Sequence, residues 1–185
     1  MDCGCTDAEL IKAAAGKDKD AFRILMQKYQ GRIYRVAYRY TGDSEAAKEL
    51  TQDIFFKVYR AAPSYSPDAR FFTWLYRIAA NHCINYVRKR SRDPLHMKDR
   101  YGDGATSAES AGNQQDELES RERASRVRAA LDRLPERQKA ALVLLRFEGL
   151  SYREIAGVLG CSVPAVESLV HRGMQALKKK LSRVL

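Results

Sequence analysis

Residues 151–173 read SYREIAGVLGCSVPAVESLVHRG, two short helical patterns on either side of a Gly-Cys-Ser turn. Ser151 and Glu154 have the spacing of a capping box, in which both side chains satisfy exposed backbone N–H groups at a helix start. The helix that follows buries Ile155, Ala156 and Leu159, and Gly160 can take the positive φ of a tight turn. Ser162 is placed as a second N-cap, with Pro164 tolerated in the first turn. Val163, Val166, Val170, Met174 and Leu177 then recur at helical spacing, with Leu169 widening the stripe. The small Ala156 lets the two helices approach. This pattern fits a helix-turn-helix.

Ala165, Glu167, Ser168, His171, Arg172 and Gln175 point away from that stripe. In a helix-turn-helix such a face enters the major groove, where base edges differ in donors and acceptors. Glu167 can accept from cytosine N4, Ser168 can donate or accept, and Arg172 suits phosphate or guanine. Arg146, Arg153, Lys178, Lys179 and Lys180 surround it with positive charge.

Helical periodicity extends over the rest of the chain, and strand alternation is scarce. Residues 7–15 and 18–29 read as helices, with Phe22, Leu25, Met26 and Tyr29 on one face, and 31–40 continue with Ile33, Val36, Ala37 and Tyr40. Thr41-Gly42-Asp43 is a break, after which Asp43 or Ser44 can cap a helix over Glu45–Arg60. Ala46, Leu50, Ile54 and Val58 stripe that helix. Pro63 and Pro67 bound a loop over Ala61–Ala69, and a further helix spans about Phe71–Lys89. Between residues 93 and 117 the composition turns to Asp, Gly, Ser, Asn and Gln, too polar to bury much, which reads as a flexible linker. The expectation is an all-α chain of two small helical domains, residues 1–92 and 121–185, joined by an acidic tether over 93–120.

Charge follows the same divisions. The net charge is +10. Residues 70–92 hold six basic side chains and no acid, 93–120 hold seven acids and two bases, and 121–185 hold 14 bases and six acids. Two basic blocks around an acidic spacer suit a polyanion, because each neutralised phosphate releases counterions. No apolar run has the length of a membrane span, so no membrane insertion is expected. MDCGCTDAEL lacks the basic start and apolar middle of a signal peptide, so a cytoplasmic, nucleoid-associated protein is expected. Cys83 and Cys161 read as small core side chains. Cys3 and Cys5 lack neighbours that would complete a metal site, and neither metal nor cofactor is expected.

In the basic block, FFTWLYRIAANHCINYVRKR interleaves rings with amides and bases. Phe71, Phe72, Trp74, Tyr76 and Tyr86 supply rings, of which Phe71, Tyr76 and Tyr86 suit a core. Asn81, Asn85 and Arg88 fall on one helix face, with Arg77 on the same side. Rings that stack unpaired bases beside a basic groove are the means of holding single strands.

Taken in order, LTQDIFFKVYRA, TWLYRIAANHCINYVRKR, LPERQKAALVLL and GLSYREIAGVLGCSVPAVESLVHR resemble bacterial RNA polymerase sigma factors of the extracytoplasmic-function group, over nearly the whole chain. The resemblance implies a transcription initiation factor rather than an enzyme, with a region 2 bundle followed by a region 4 helix-turn-helix. It implies docking of Glu49, Gln52, Asp53 and Phe56 on the clamp helices of the largest subunit of core polymerase. It assigns minus-10 promoter DNA, melted and held as a single strand, to Arg70, Phe72, Trp74, Arg77, Asn81, Asn85, Arg88, Lys89 and Arg90, with Asn81 where the family captures a flipped base. It assigns the minus-35 duplex to Ser151, Arg153, Ser162, Ala165, Glu167, Ser168, His171 and Arg172, in a domain that also meets the polymerase flap. The linker resembles the segment that threads the polymerase interior, and relatives are commonly held by an anti-sigma factor. Glu167 departs from the basic residue common there, as do Leu169 and Met174 from arginines, so an altered minus-35 preference is expected. A stand-alone regulator would instead bind operator DNA without polymerase. A DNA-processing enzyme would need a catalytic constellation that the sequence does not offer.

Overall fold

The computed structural model describes residues 5–67, 70–92, 123 and 125–182. Among these residues the chain is all-α. Helices α1 (Asp7–Ala15), α2 (Lys19–Thr41), α3 (Ser44–Ala61) and α4 (Phe71–Arg92) form the first half, with a 3-10 turn at Ala62–Ser64. The second half holds α5 (125–132), α6 (Glu136–Arg146), α7 (Tyr152–Leu159) and α8 (Val163–Leu181). None of these helices is long and apolar enough to cross a membrane.

The boundaries follow from local chemistry. Thr6 and Glu9 form a capping box at α1, Asp18 accepts from two N–H groups of α2, and Asp43 accepts from Ala46 N at α3. Each carboxylate or hydroxyl satisfies orphan donors and favours the positive helix end. The patterns over 18–29 and 31–40 form one helix: α2 runs unbroken through Gly31, where an added Cβ would be 3.7 Å from the nearest heavy atom outside the helix backbone, on Arg35. It stops at Gly42, which takes the left-handed conformation (φ 70°).

In the first half α2 packs on α1, α3 and α4, burying Ile11, Leu25, Ile33, Leu50, Ile54, Leu75 and Tyr76. In the second, α6, α7 and α8 close around Leu142, Leu144, Ile155 and Val166. The apolar stripe of α8 runs through Val166, Val170 and Gly173 rather than through Met174, which is exposed. An added Cβ at Gly173 would stand 2.8 Å from Leu142 Cδ1, so the glycine sets the approach of α8 to α6. The two halves also touch. Helix α4 packs against α7 and, to a lesser extent, α6, and the buried apolar side chains join into one continuous cluster.

Candidate nucleic-acid interface

Helix α4 carries the basic row. Its inner face is fixed by the burial of Phe71, Leu75, Tyr76, Ala79, Ala80 and Cys83. Burial pushes the Cys83 thiol up to about 12, so it stands as a small apolar side chain. With that face inside, Arg70, Arg77, Asn81, Asn85, Arg88 and Lys89 are exposed, and Arg90 is half-buried. The amides of Asn81 and Asn85 thus stand at the surface rather than in the core, where each would need several partners.

The aromatic side chains are less free. Trp74 is half-buried, its ring 5.2 Å from that of Tyr65 and 5.9 Å from that of Phe71. Phe72 is also half-buried, with its ring 4.3 Å from that of Tyr76. Edge-on and tilted contacts at these separations add to burial, so both rings help fix the start of α4. Tyr86, expected in the core, is half-buried.

Helix-turn-helix geometry is complete in α7 and α8. Ser151 and Glu154 form the expected capping box: Ser151 N–H and Oγ–H donate to Glu154 Oε2 at 2.9 and 2.7 Å, and Ser151 Oγ accepts from Glu154 N–H. These bonds hold the Glu154 carboxyl below the usual carboxylate range. Gly160 takes the expected positive φ, 60°. Ser162 has the extended backbone of an N-cap, but its side chain makes no cap hydrogen bond. Pro164 lies in the first turn of α8, where its missing N–H removes one of the donors needing a cap.

On α8, Glu167, Ser168, His171, Arg172 and Gln175 form an exposed face, with Ala165 at its half-buried edge. His171 Nε2 lies 3.3 Å from Gln175 Nε2 one turn on. Arg153 is exposed at the start of α7. This outward face combines an acceptor-only carboxylate, a hydroxyl, an imidazole and a guanidinium, a set able to distinguish base edges.

A third surface lies on α3. Glu49, Gln52, Asp53 and Phe56 are exposed, Phe56 by 62%. The Arg60 guanidinium lies 5.8 Å from the Phe56 ring centre. The sequence reading missed His82 of α4 behind this ridge. Its Nε2 is buried 3.6 Å from Asp53 Oδ2, close enough to pair with it only when protonated, and has no hydrogen-bond partner among the described residues. Burial lowers its pKa, with Lys57 adding and Asp53 opposing. Cys5 is exposed, Cys161 is half-buried rather than core, and Cys3 lies outside the described residues. No group of three metal-ligating side chains occurs among the described residues.

An exposed basic helix and a helix-turn-helix on one chain define a nucleic-acid-binding class of protein. The models for sigma-70 region 2 and sigma-70 region 4 match residues 25–93 and 124–177. The RNA polymerase sigma-H factor of Pseudomonas aeruginosa is 36% identical over 97% of this chain and 95% of its own length. The ECF RNA polymerase sigma-E factor of Escherichia coli K12 is 32% identical over 97% and 96%. Among solved structures, CnrH in complex with the cytosolic domain of CnrY superposes with a TM-score of 0.70 at 25% identity, covering 96% of this chain and 97% of that one. The sigma factor RpoE of Bartonella quintana, solved with the anti-sigma factor NepR, has the same fold, with a TM-score of 0.63 at 24% identity over 87% and 96%. The chain belongs to the extracytoplasmic-function group of RNA polymerase sigma factors.

Proposed function

We propose that residues 1–92 hold the melted minus-10 element, that residues 121–185 read the minus-35 duplex, and that 93–120 tether the two on core polymerase. In this reading Asn81 receives an unstacked base on α4, with Asn85 beside it and Arg70, Arg77, Arg88, Lys89 and Arg90 along the strand. Phe72 and Trp74 shape the start of that groove. Opening duplex costs stacking and pairing, which capture of unstacked bases offsets. Ser151, Arg153 and Ser162 meet the backbone at the helix starts, while Ala165, Glu167, Ser168, His171 and Arg172 face base edges. Polymerase docks on Glu49, Gln52, Asp53 and Phe56, where an exposed aromatic ring is ringed by polar groups, as at many binding anchors. Tethering both DNA grips to one enzyme raises their effective concentration, so modest contacts suffice. The factor performs no chemistry of its own. An anti-sigma partner is part of the proposal, in keeping with the Bartonella quintana sigma factor solved with the anti-sigma factor NepR.

The observation that carries the reading is the pair of exposed amides, Asn81 and Asn85, on a helix surface with basic but no acidic side chains. In-vitro transcription with purified core, combined with permanganate footprinting, tests it. The Asn81→Ala variant should bind core normally and give fewer reactive thymines upstream of the start. Loss of core binding with unfolding would make Asn81 a structural residue and overturn its assignment.

A further inference from the structure

Two of the α4 arginines assigned to DNA, Arg77 and Arg88, already have acceptors, and Arg70 just before the helix stands near a carboxylate; the second half of the chain provides all three partners. Arg77 donates from Nε and Nη2 to the Gly157 carbonyl of α7 at 3.1 and 2.6 Å. Arg88 Nη2 donates to Glu136 of α6 at 2.9 Å. Arg70 lies 4.0 Å from Glu154 of α7. Between them, Tyr76 OH donates to Glu148 Oε2 at 2.7 Å.

The fit at Arg77 has a local cause. The Gly160 and Cys161 N–H groups both donate to Ala156 O, which leaves the Gly157 carbonyl to Arg77 at the negative end of α7. Helix α7 has no basic residue in its own last turn, and Arg77 supplies that charge from α4. Gly157 is unfavourable inside a helix, yet an added Cβ would stand 3.0 Å from Thr73 Cγ2 of α4. The glycine permits the close approach.

We infer that the second half acts as an internal stand-in for the DNA backbone: its carbonyl and carboxylate oxygens occupy Arg77 and Arg88 along the minus-10 helix, so the docked chain cannot give both arginines to a nucleic-acid strand. This rests on the assignment of α4 to the minus-10 element. The reading face of α8 stays exposed in the docked state, so occlusion falls on one DNA site alone. The seam is also built to release. Glu148 Oε1 and Arg39 Nε are buried there without hydrogen-bond partners among the described residues. Such groups regain hydration on opening.

The test uses the full chain, a fluorescent single-stranded oligodeoxynucleotide and small-angle scattering. Gly157→Leu wedges α7 from α4, and the Glu136→Gln, Glu148→Gln double variant weakens the seam without adding bulk. A Thr73→Cys, Gly157→Cys pair locks it through a disulfide. If the docked form outweighs the open one by about ten to one, each opened variant should enlarge the radius of gyration and bind the oligonucleotide about tenfold more tightly. The locked form should bind more weakly than its reduced form. Opened variants with unchanged affinity, while Arg77→Ala still lowers it, would overturn the competition. If neither opening, locking nor Arg77→Ala changes affinity, while scattering reports opening, the assignment of α4 to DNA is what fails. A radius of gyration that both opening variants leave unaltered would overturn the docked state itself.

Discussion

Gly173 offers a test of how the second half is packed. It is buried in the interior of α8, a position where Ala would ordinarily favour the helix by about 1 kcal/mol. An alanine methyl here would lie 2.8 Å from Leu142 Cδ1 and 3.2 Å from its Cγ, against about 3.5–4.0 Å for a comfortable carbon contact. Leu142 is itself fully buried and cannot swing into solvent. Overpacking of this kind costs about 1–3 kcal/mol, so Gly173→Ala should be neutral to destabilising, by up to about 2 kcal/mol, despite its better propensity. Leu142→Ala alone should cost about 2–5 kcal/mol as a cavity. In that background the clash is gone, and Gly173→Ala should stabilise by about 1 kcal/mol or more. Urea unfolding followed by helical circular dichroism, with the four members of the cycle compared at constant m, measures the coupling. Equal stabilisation by Gly173→Ala in both backgrounds would refute the argument.

Two further outcomes follow from groups whose burial is unusual. Lys139 is buried, its ammonium 2.7 Å from Asp132 Oδ1 and 4.9 Å from the Tyr40 ring centre. Asp132→Ala would leave that charge without its counter-ion and should cost about 2–3 kcal/mol, less than for a fully buried pair because Asp132 is half-exposed. Lys139→Met should cost less than Asp132→Ala in the same urea titrations; the reverse order would contradict the account. For His82, burial lowers the folded-state pKa from 6.5, so the unfolded chain takes up the proton first as pH falls. Its neutral burial therefore carries no penalty above about pH 7, and stability is lost progressively as pH drops through 6.5 towards the folded value. His82→Gln should narrow the loss between pH 7.5 and 5 relative to the unsubstituted protein, and parallel urea midpoints across that range would exclude it.

The helix boundaries were legible because they rest on short-range chemistry. Asp43, Gly42, Gly160 and the Ser151–Glu154 pair act within a few residues of their own position, so their sequence spacing carries the whole signal. The stripe of α8 was only half legible. After Val170 both three- and four-residue steps continue a helical face, and a glycine at 173 contributes no hydrophobic signal, so Met174 looked like the next core side chain. Leu142, 31 positions away, decides the matter. Lys139 was unreadable for a similar reason: a lone lysine reads as solvated until Asp132 and Tyr40 are known to surround it.

The site shows the same limit in a form that bears on function. Composition marks Arg77 and Arg88 as cations awaiting an anion, and that inference is chemically sound. What a guanidinium recognises, however, is an oxygen bearing negative charge at hydrogen-bond distance. A phosphate, a carboxylate and the carbonyl end of a helix all qualify. The arginines proposed to hold nucleic acid on α4 are therefore the ones that bind α6 and α7, and no pattern in the sequence tells these partners apart. Asn81 and Asn85 differ, since they face solvent while the arginines are engaged. The docked contacts thus fall on groups that bind any anionic oxygen, and leave open those that need a base edge. On the function proposed above, a nucleic-acid strand would displace α7 by competing for the arginines, while the amides would supply the selectivity.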